Sequence, residues 1–254
     1  MDLTAWRFTW FYAKSQLKLK YRYTSLGFLW NFLEPAFYLA VLSVVFSVVN
    51  RMNISDYAVF LFSALVPWRY FEKVVNTCTD AITQGEWLLK KMPVSPYAFP
   101  LTRWLIASIE FCFSLAVMFA VFVFLKDQWT IHLLILPLVI LPWALLGLGV
   151  GMISAVLFIF FRDIRPLLQV LLMAAFFSAP ILFKPGLFND QSLQSAIVKW
   201  HPVTYFAALF QKPFHEGAWP AAGDWIISFS LALSALWLGA WLIDRYKSKF
   251  YFYL

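Results

Sequence analysis

The chain has 254 residues, 62% of them hydrophobic and only 13% charged, with a mean hydropathy of +0.73. Soluble domains carry about 45–50% apolar residues, so this composition excludes a soluble domain and specifies a polytopic membrane protein. The formal charge of +7 then belongs to cytoplasmic loops and anionic headgroups rather than to nucleic acid.

Residues 1–26 interleave Arg7, Lys14, Lys18, Lys20 and Arg22 with Trp6, Phe8, Trp10, Phe11, Tyr12, Tyr21 and Tyr23. That mixture cannot cross a bilayer and is too basic and aromatic for a cleavable signal peptide; it reads as an amphipathic helix in the headgroup plane, or as a positive tail that orients the first span. A first span is expected from about Gly27 to Val49 and a second from about Tyr57 to Cys78, joined by a tight outer hairpin, Asn50–Asp56. Both carry ionisable groups: Glu34 directly before Pro35, and Arg69, Glu72 and Lys73 after Pro67-Trp68. Arg69 and Glu72 are three apart on one helix face and read as an ion pair or as snorkelling side chains; Glu34 reaches less far and is the stronger functional candidate.

Asp80–Pro100 is a polar interlude in which Trp87-Leu88-Leu89 gives a short apolar face beside Lys90 and Lys91. The pattern suits a surface helix that docks on a cytoplasmic partner, and equally a loop that dips into lipid. A third span covers about Leu101–Leu125 and holds Glu110; a fourth, about Ile131–Phe160, is interrupted by Pro137 and Pro142 and too long to run untilted. Gly147 and Gly151 form a G-x-x-x-G pair, read as packing within the subunit.

From Gln128 to Phe183 the only charged residues are Arg162, Asp163 and Arg165, so Phe161–Pro166 is a turn at the membrane surface. A short fifth span, Leu167–Phe183, follows. Residues 184–224 contain apolar fragments too short to cross, broken by Pro202, Pro213 and Pro220, which suits a re-entrant hairpin on the outer side. The sixth span, about Trp225–Ile243, leads into a basic, aromatic tail, 244–254. The excess of Lys and Arg on alternate loops places both termini in the cytoplasm. The expected fold is therefore one all-α transmembrane domain over 1–254, with an interface helix (1–26), five helices (27–183), an outer re-entrant segment (184–224), and the last helix with its tail (225–254).

The sequence lacks a phosphate-binding G-x-x-x-x-G-K-[ST] loop, H-E-x-x-H, G-x-S-x-G and a dinucleotide glycine fingerprint. His132, His201 and His215 lack metal-ligand spacing, and Cys78 and Cys112 read as packing residues. A secondary transporter would be expected to show symmetric halves with broken spans, and an intramembrane enzyme a convergence of acids or histidines; neither is present. A permease subunit driven by a separate ATPase fits better.

The ordered series Tyr21-Arg22-Tyr23-Thr24-Ser25-Leu26-Gly27-Phe28-Leu29-Trp30 with Glu34-Pro35, Leu65-Val66-Pro67-Trp68, Leu88-Leu89-Lys90-Lys91-Met92-Pro93, Phe161-Arg162-Asp163-Ile164, Ala179-Pro180-Ile181 and His201-Pro202-Val203-Thr204 resembles the ABC-2 permeases that export lipid-linked polysaccharides. The resemblance implies a non-enzymatic homodimer in the bacterial inner membrane carrying two ATPase subunits, which bind the ATP and Mg; this chain would hold no cofactor or metal. It assigns Gly85, Glu86, Trp87, Leu88, Leu89, Lys90 and Lys91 to ATPase coupling. It also places Lys18, Lys20, Arg22, Glu34, Arg162, Asp163 and Arg165 at a substrate headgroup or gate. Glu34-Pro35 looks more like the capsule branch and His201-Pro202 departs from the Asn-Pro of the O-antigen and teichoic acid branch, while Phe161–Ile164 and Ala179–Ile181 look like the O-antigen branch. The expected cargo is O-antigen on a polyprenyl pyrophosphate, with capsule or teichoic acid as the alternative and secondary transport behind both.

Overall fold

The computed structural model describes residues 3–22, 26, 29–49, 53–125, 134–184 and 193–253. All its regular elements are helical. In chain order they are α1 (Leu3–Tyr21), α2 (Trp30–Val49), α3 (Ile54–Thr79), α4 (Ala81–Gln84), α5 (Glu86–Lys91), α6 (Ala98–Leu125), α7 (Leu136–Phe160), α8 (Ile164–Ser178), α9 (Leu193–Trp200), α10 (Pro202–Gln211), a π-helical turn (Lys212–Glu216) and α11 (Ala222–Tyr253). Among the described residues, three stretches are long and apolar enough to cross a membrane: Ala98–Ala120, Leu136–Phe160 and Ala222–Phe250.

The bundle is built around α3, which packs against α2, α6, α7, α8 and α10. From Tyr57 to Trp68 every residue of α3 is buried, because the sequence there is apolar on all sides. Arg69, Glu72 and Lys73 interrupt that burial on the face toward α2 and α6. At 26 residues α3 is about 39 Å long, enough to traverse the hydrocarbon layer despite those charges.

Three glycines of α7 set its distance from two neighbours. A Cβ on Gly147 would lie 3.3 Å from Val74, and one on Gly151 would lie 2.8 Å from Cys78, so this pair seats α7 on α3. Gly149, two residues on, points the other way: a Cβ there would come within 2.4 Å of the Leu236 backbone nitrogen on α11. Gly239 reciprocates, at 2.8 Å from the Gly149 carbonyl. The G-x-x-x-G pair thus packs within the subunit, and the glycine between its members is used as tightly as the pair itself.

Several boundaries differ from the sequence expectation. The helix of the expected fourth span, α7, starts at Leu136 with Pro137 in its first turn, where a missing N–H costs nothing, and continues unbroken through Pro142. The helix of the expected fifth span, α8, stops at Ser178 rather than Phe183, because Pro180 forces Ala179 into extended backbone (φ −84°, ψ 152°). The segment beyond is held by side chains: Gln211 Nε2 donates to the Pro180 carbonyl at 2.8 Å and the Tyr57 hydroxyl to the Leu182 carbonyl at 2.9 Å. The helix of the expected sixth span does not end at Ile243; α11 carries the charged segment Asp244–Lys249 as helix, secured by the Tyr97 hydroxyl, which lies 2.8 Å from the Ala240 carbonyl and 2.9 Å from the Asp244 carboxylate and shares its single proton between them. Burial and that carboxylate raise the Tyr97 phenol above its ordinary range.

Residues 193–211 form two short helices hinged at His201, whose Nδ1 accepts the Val203 N–H and caps α10. α10 packs on α3, α7 and α11. The expected outer hairpin residues 50–52, the loop 126–133 with His132, and 185–192 lie outside the described residues, as do Tyr23–Ser25, Gly27 and Phe28 of the first motif.

Candidate functional site

Two charged clusters sit on the C-terminal half of α3. The first is a cleft of about 390 Å³ between α2, α3 and α6, with Glu34, Tyr38, Arg69, Glu72, Lys73 and Glu110 among its lining. The positions Arg69, Glu72 and Lys73 follow i, i+3, i+4 and so share the one face of α3 that its packing leaves open. Arg69 Nη1 lies 3.1 Å from Glu72 Oε2, and its guanidinium stacks 4.4 Å above the Tyr38 ring of α2, an arrangement that adds cation–π attraction to the ion pair.

Glu110, on α6, is the most buried charge of the cleft, with a side chain only 4% exposed. A carboxylate at that depth demands compensation, and two ammonium groups supply it from different helices. Lys73 Nζ of α3 lies 2.5 Å from Oε2, and Lys20 of α1 donates to Oε1. The lysines are themselves 41% and 48% exposed; their stems cover apolar surface while the heads face the cleft and its edge. Below them the Tyr70 hydroxyl and Ser108 share a 2.8 Å hydrogen bond, and the Tyr70 ring stacks on Phe111.

The second cluster joins the turn at 161–163 to the short helices α4 and α5. Arg165 Nη1 is 3.0 Å from Asp80 Oδ2, at the junction of α3 and α4. Arg103 of α6 donates to Gln84 at 2.5 Å, and Thr79 donates to Ser154 of α7. Arg162 leans over the Phe158 ring, and Phe161 is exposed. α4 therefore sits where α3, α6, α7 and the turn meet.

α5 divides its residues in an unexpected way. Leu88 and Leu89 are buried, in the chain's own core with Ile82, Phe99, Ile159 and Phe250, rather than presented to a partner. Gly85 is buried as well: a Cβ there would lie 2.1 Å from the Phe99 ring. What α5 presents outward is Trp87, 59% exposed, with Lys90, Lys91 and Met92, while Glu86 pairs with Lys90 at 2.6 Å.

Of the headgroup or gate candidates, the structure brings Lys20 and Glu34 to the first cluster and Arg165 to the second. Lys18 and Arg22 are exposed at the end of α1, and Arg162 and Asp163 are exposed on the turn. Lys73, Glu110 and Asp80, which complete the ion pairs, were not among those candidates. The one signal of Lys73 and Glu110 was a charge inside or beside an apolar run, and Asp80 stood only as the start of a polar interlude; such signals name no partner.

No family model matches the chain. It is 29% identical to the O-antigen export system permease protein RfbA of Myxococcus xanthus, over 94% of this chain and 92% of that protein. It is 24% identical to the RfbA protein of Klebsiella pneumoniae, over 81% of this chain and 79% of the relative. It is also 24% identical to the polysialic acid transport protein KpsM of Escherichia coli, over 80% and 79% of the two chains. By their names these relatives are export permease and transport proteins for polysaccharides, and this chain is similar to them along most of its length.

Proposed function

We propose that this chain is the permease subunit of an ATP-driven exporter that moves lipid-linked polysaccharide across the bacterial inner membrane, with O-antigen on a polyprenyl pyrophosphate carrier as cargo. The observation that carries this reading is the similarity to an O-antigen export permease over nearly the full length of both chains. The outward face of α5 supports it: an exposed Trp87 beside Lys90 and Lys91 suits a protein partner better than water.

In this reading α2, α3, α6, α7, α8 and α11 cross the membrane and α1 lies at the cytoplasmic interface, where exposed Trp6, Trp10 and Phe11 beside Arg7 and Lys14 suit the headgroup layer. α9 and α10 re-enter from the outer side. Both termini are cytoplasmic, two copies of the chain enclose the polymer path, and two ATPase subunits, which bind the ATP and Mg, dock on Gly85–Lys91. Trp87, Lys90 and Lys91 contact the partner, while Leu88 and Leu89 fix α5 to the bundle.

A push on α5 has two routes inward: through Gly85 against Phe99 of α6, and through Asp80 to Arg165 at the start of α8. Lys18, Lys20 and Arg22 on the cytoplasmic side attract the anionic head of the cargo, each by about 1 kcal/mol at the membrane surface. Arg162 and Asp163 flank the same mouth.

A capsular polysaccharide is the second reading, favoured by the polysialic acid relatives. Deleting the gene and fractionating lipid-linked glycan separates the two. Loss of surface polysaccharide with polyprenol-linked polymer trapped inside supports O-antigen; trapped polymer on a phospholipid-type anchor supports capsule; unchanged glycan under expressing conditions removes both.

A further inference from the structure

The charged end of α11 is anchored to the bundle at three points. Phe250 is 1% exposed and enters the same core as Leu88 and Leu89 of α5. The Phe160 ring at the end of α7 lies 5.4 Å from Tyr246 and 4.9 Å from Tyr253. The Tyr97 hydroxyl, before α6, lies 2.9 Å from the Asp244 carboxylate. A helix end without such contacts frays; this one is held in one rotation. Arg245, Ser248, Lys249 and Phe252, at i, i+3, i+4 and i+7, form its outward face, and all four are exposed. Phe252, at 87%, is the most exposed large apolar side chain among the described residues. It is two positions from the buried Phe250 and so nearly opposite it around the helix.

α5 repeats the arrangement. Leu88 and Leu89 enter the shared core, while Trp87, Lys90 and Lys91 face out. Both outward faces are basic. Lys90 pairs with Glu86 and Lys247 with Asp244, whereas Lys91, Arg245 and Lys249 make no ion pair among the described residues; Lys249 lies over the Tyr246 ring at 5.5 Å.

We propose that the outward face at the end of α11 is a second contact for the ATPase subunit that docks on α5, received by an acidic surface with a slot for the Phe252 ring. This inference rests on the reading of α5 as the docking helix and extends its surface through the core that Leu88, Leu89 and Phe250 share. The pattern favours a protein over a lipid surface. A helix lying in a membrane interface presents a continuous apolar stripe. Here one aromatic ring stands among Arg245, Ser248 and Lys249, as an interface anchor stands within a polar rim. Cations without partners of their own call for carboxylates across the contact, and a face held in place beforehand spares the ordering cost of a loose tail.

The test uses the full-length chain co-expressed with its ATPase partner and carrying a photoreactive residue, Phe252→p-benzoylphenylalanine, with Trp87→p-benzoylphenylalanine in a parallel sample. Ultraviolet light is expected to join the probe at 252 to the ATPase. An adduct at 252 with lipid or with a second copy of this chain, and none with the ATPase, overturns the proposal. So does the absence of any adduct at 252 while the probe at 87 captures the ATPase, a result that leaves the α5 reading intact. Capture at neither position overturns both. Affinity gives a second readout: Arg245→Glu with Lys249→Glu should weaken retention of the ATPase by about tenfold at low salt and flatten its salt dependence. The unfolding temperature should not change, since both side chains are exposed. Undiminished retention in that variant contradicts the acidic surface.

Discussion

Gly85→Ala tests whether the seat of α5 transmits force to the bundle. The new methyl would sit 2.1 Å from a Phe99 ring carbon, against an optimal carbon–carbon distance of about 3.5–4.0 Å, so the ring or α5 must move by about 1.5 Å. Phe99 has little room: it is 2% exposed, edge-on to Tyr12, and surrounded by Ile82, Leu88 and Ile159. Overpacking of this kind costs about 1–3 kcal/mol. Replacing glycine at its ordinary φ of −88° returns up to about 1 kcal/mol through the unfolded chain. The net expectation is a loss of about 1–2 kcal/mol together with a displaced α5. Phe99→Leu vacates the space and should restore Gly85→Ala, giving a coupling of about 1–2 kcal/mol in the double-mutant cycle. The assay is surface polysaccharide normalised to the amount of chain in the membrane, with thermal unfolding of the purified protein alongside. Wild-type export and stability in Gly85→Ala, or additive losses in the double variant, would refute the reasoning.

Four further outcomes are expected. Gly149→Val on α7 should separate α7 from α11 and destabilise the chain by about 3 kcal/mol or more, whereas Gly223→Ala, with open space around it, should behave as wild type in the same unfolding measurement. Glu110→Gln leaves two half-exposed lysines that water can serve and should cost about 1–2 kcal/mol, while Lys20→Gln with Lys73→Gln strands a buried carboxylate and should cost about 3–5 kcal/mol; equal losses would contradict the account of that cluster. Trp87→Ala with Lys90→Ala should abolish co-purification of the ATPase partner without lowering the unfolding temperature, since neither side chain is buried. Asp80→Arg should impair export, and pairing it with Arg165→Asp should recover part of the loss if the 3.0 Å contact carries the coupling.

The parts of this fold legible in the sequence are those decided locally. Arg162, Asp163 and Arg165 between two apolar runs mark a turn because charge cannot stay in lipid, and α7 and α8 end and begin around it. For Glu86–Lys91 the composition allowed either a surface helix or a loop that dips into lipid, and the chain forms the helix. What the sequence left open depends on contacts between residues far apart. Trp87, Leu88 and Leu89 form one apolar word in the sequence, yet Phe99 and Ile159 draw the leucines inward and leave the tryptophan out. Glu110 stood out as a lone acid, but its partners are 90 and 37 positions away, and pairing at that distance leaves no periodic trace. The pair Gly147 and Gly151 was visible as a motif, whereas Gly149 gains its role only from the approach of the Ala235–Leu236 backbone of α11. The charged end of α11 looked like a tail because hydropathy stops at Ile243, while helix formation continues through Lys and Asp without penalty.

The most direct test of the central claim uses inverted inner-membrane vesicles that contain this chain and its ATPase partner, loaded on the cytoplasmic face with polyprenol-linked O-antigen. Added ATP should render the polymer resistant to an externally supplied glycosidase. Protection should disappear when the chain is omitted or carries Trp87→Ala with Lys90→Ala. Polymer that stays digestible in the presence of ATP, with both subunits assembled and hydrolysing, would contradict the assignment of this chain as the export permease.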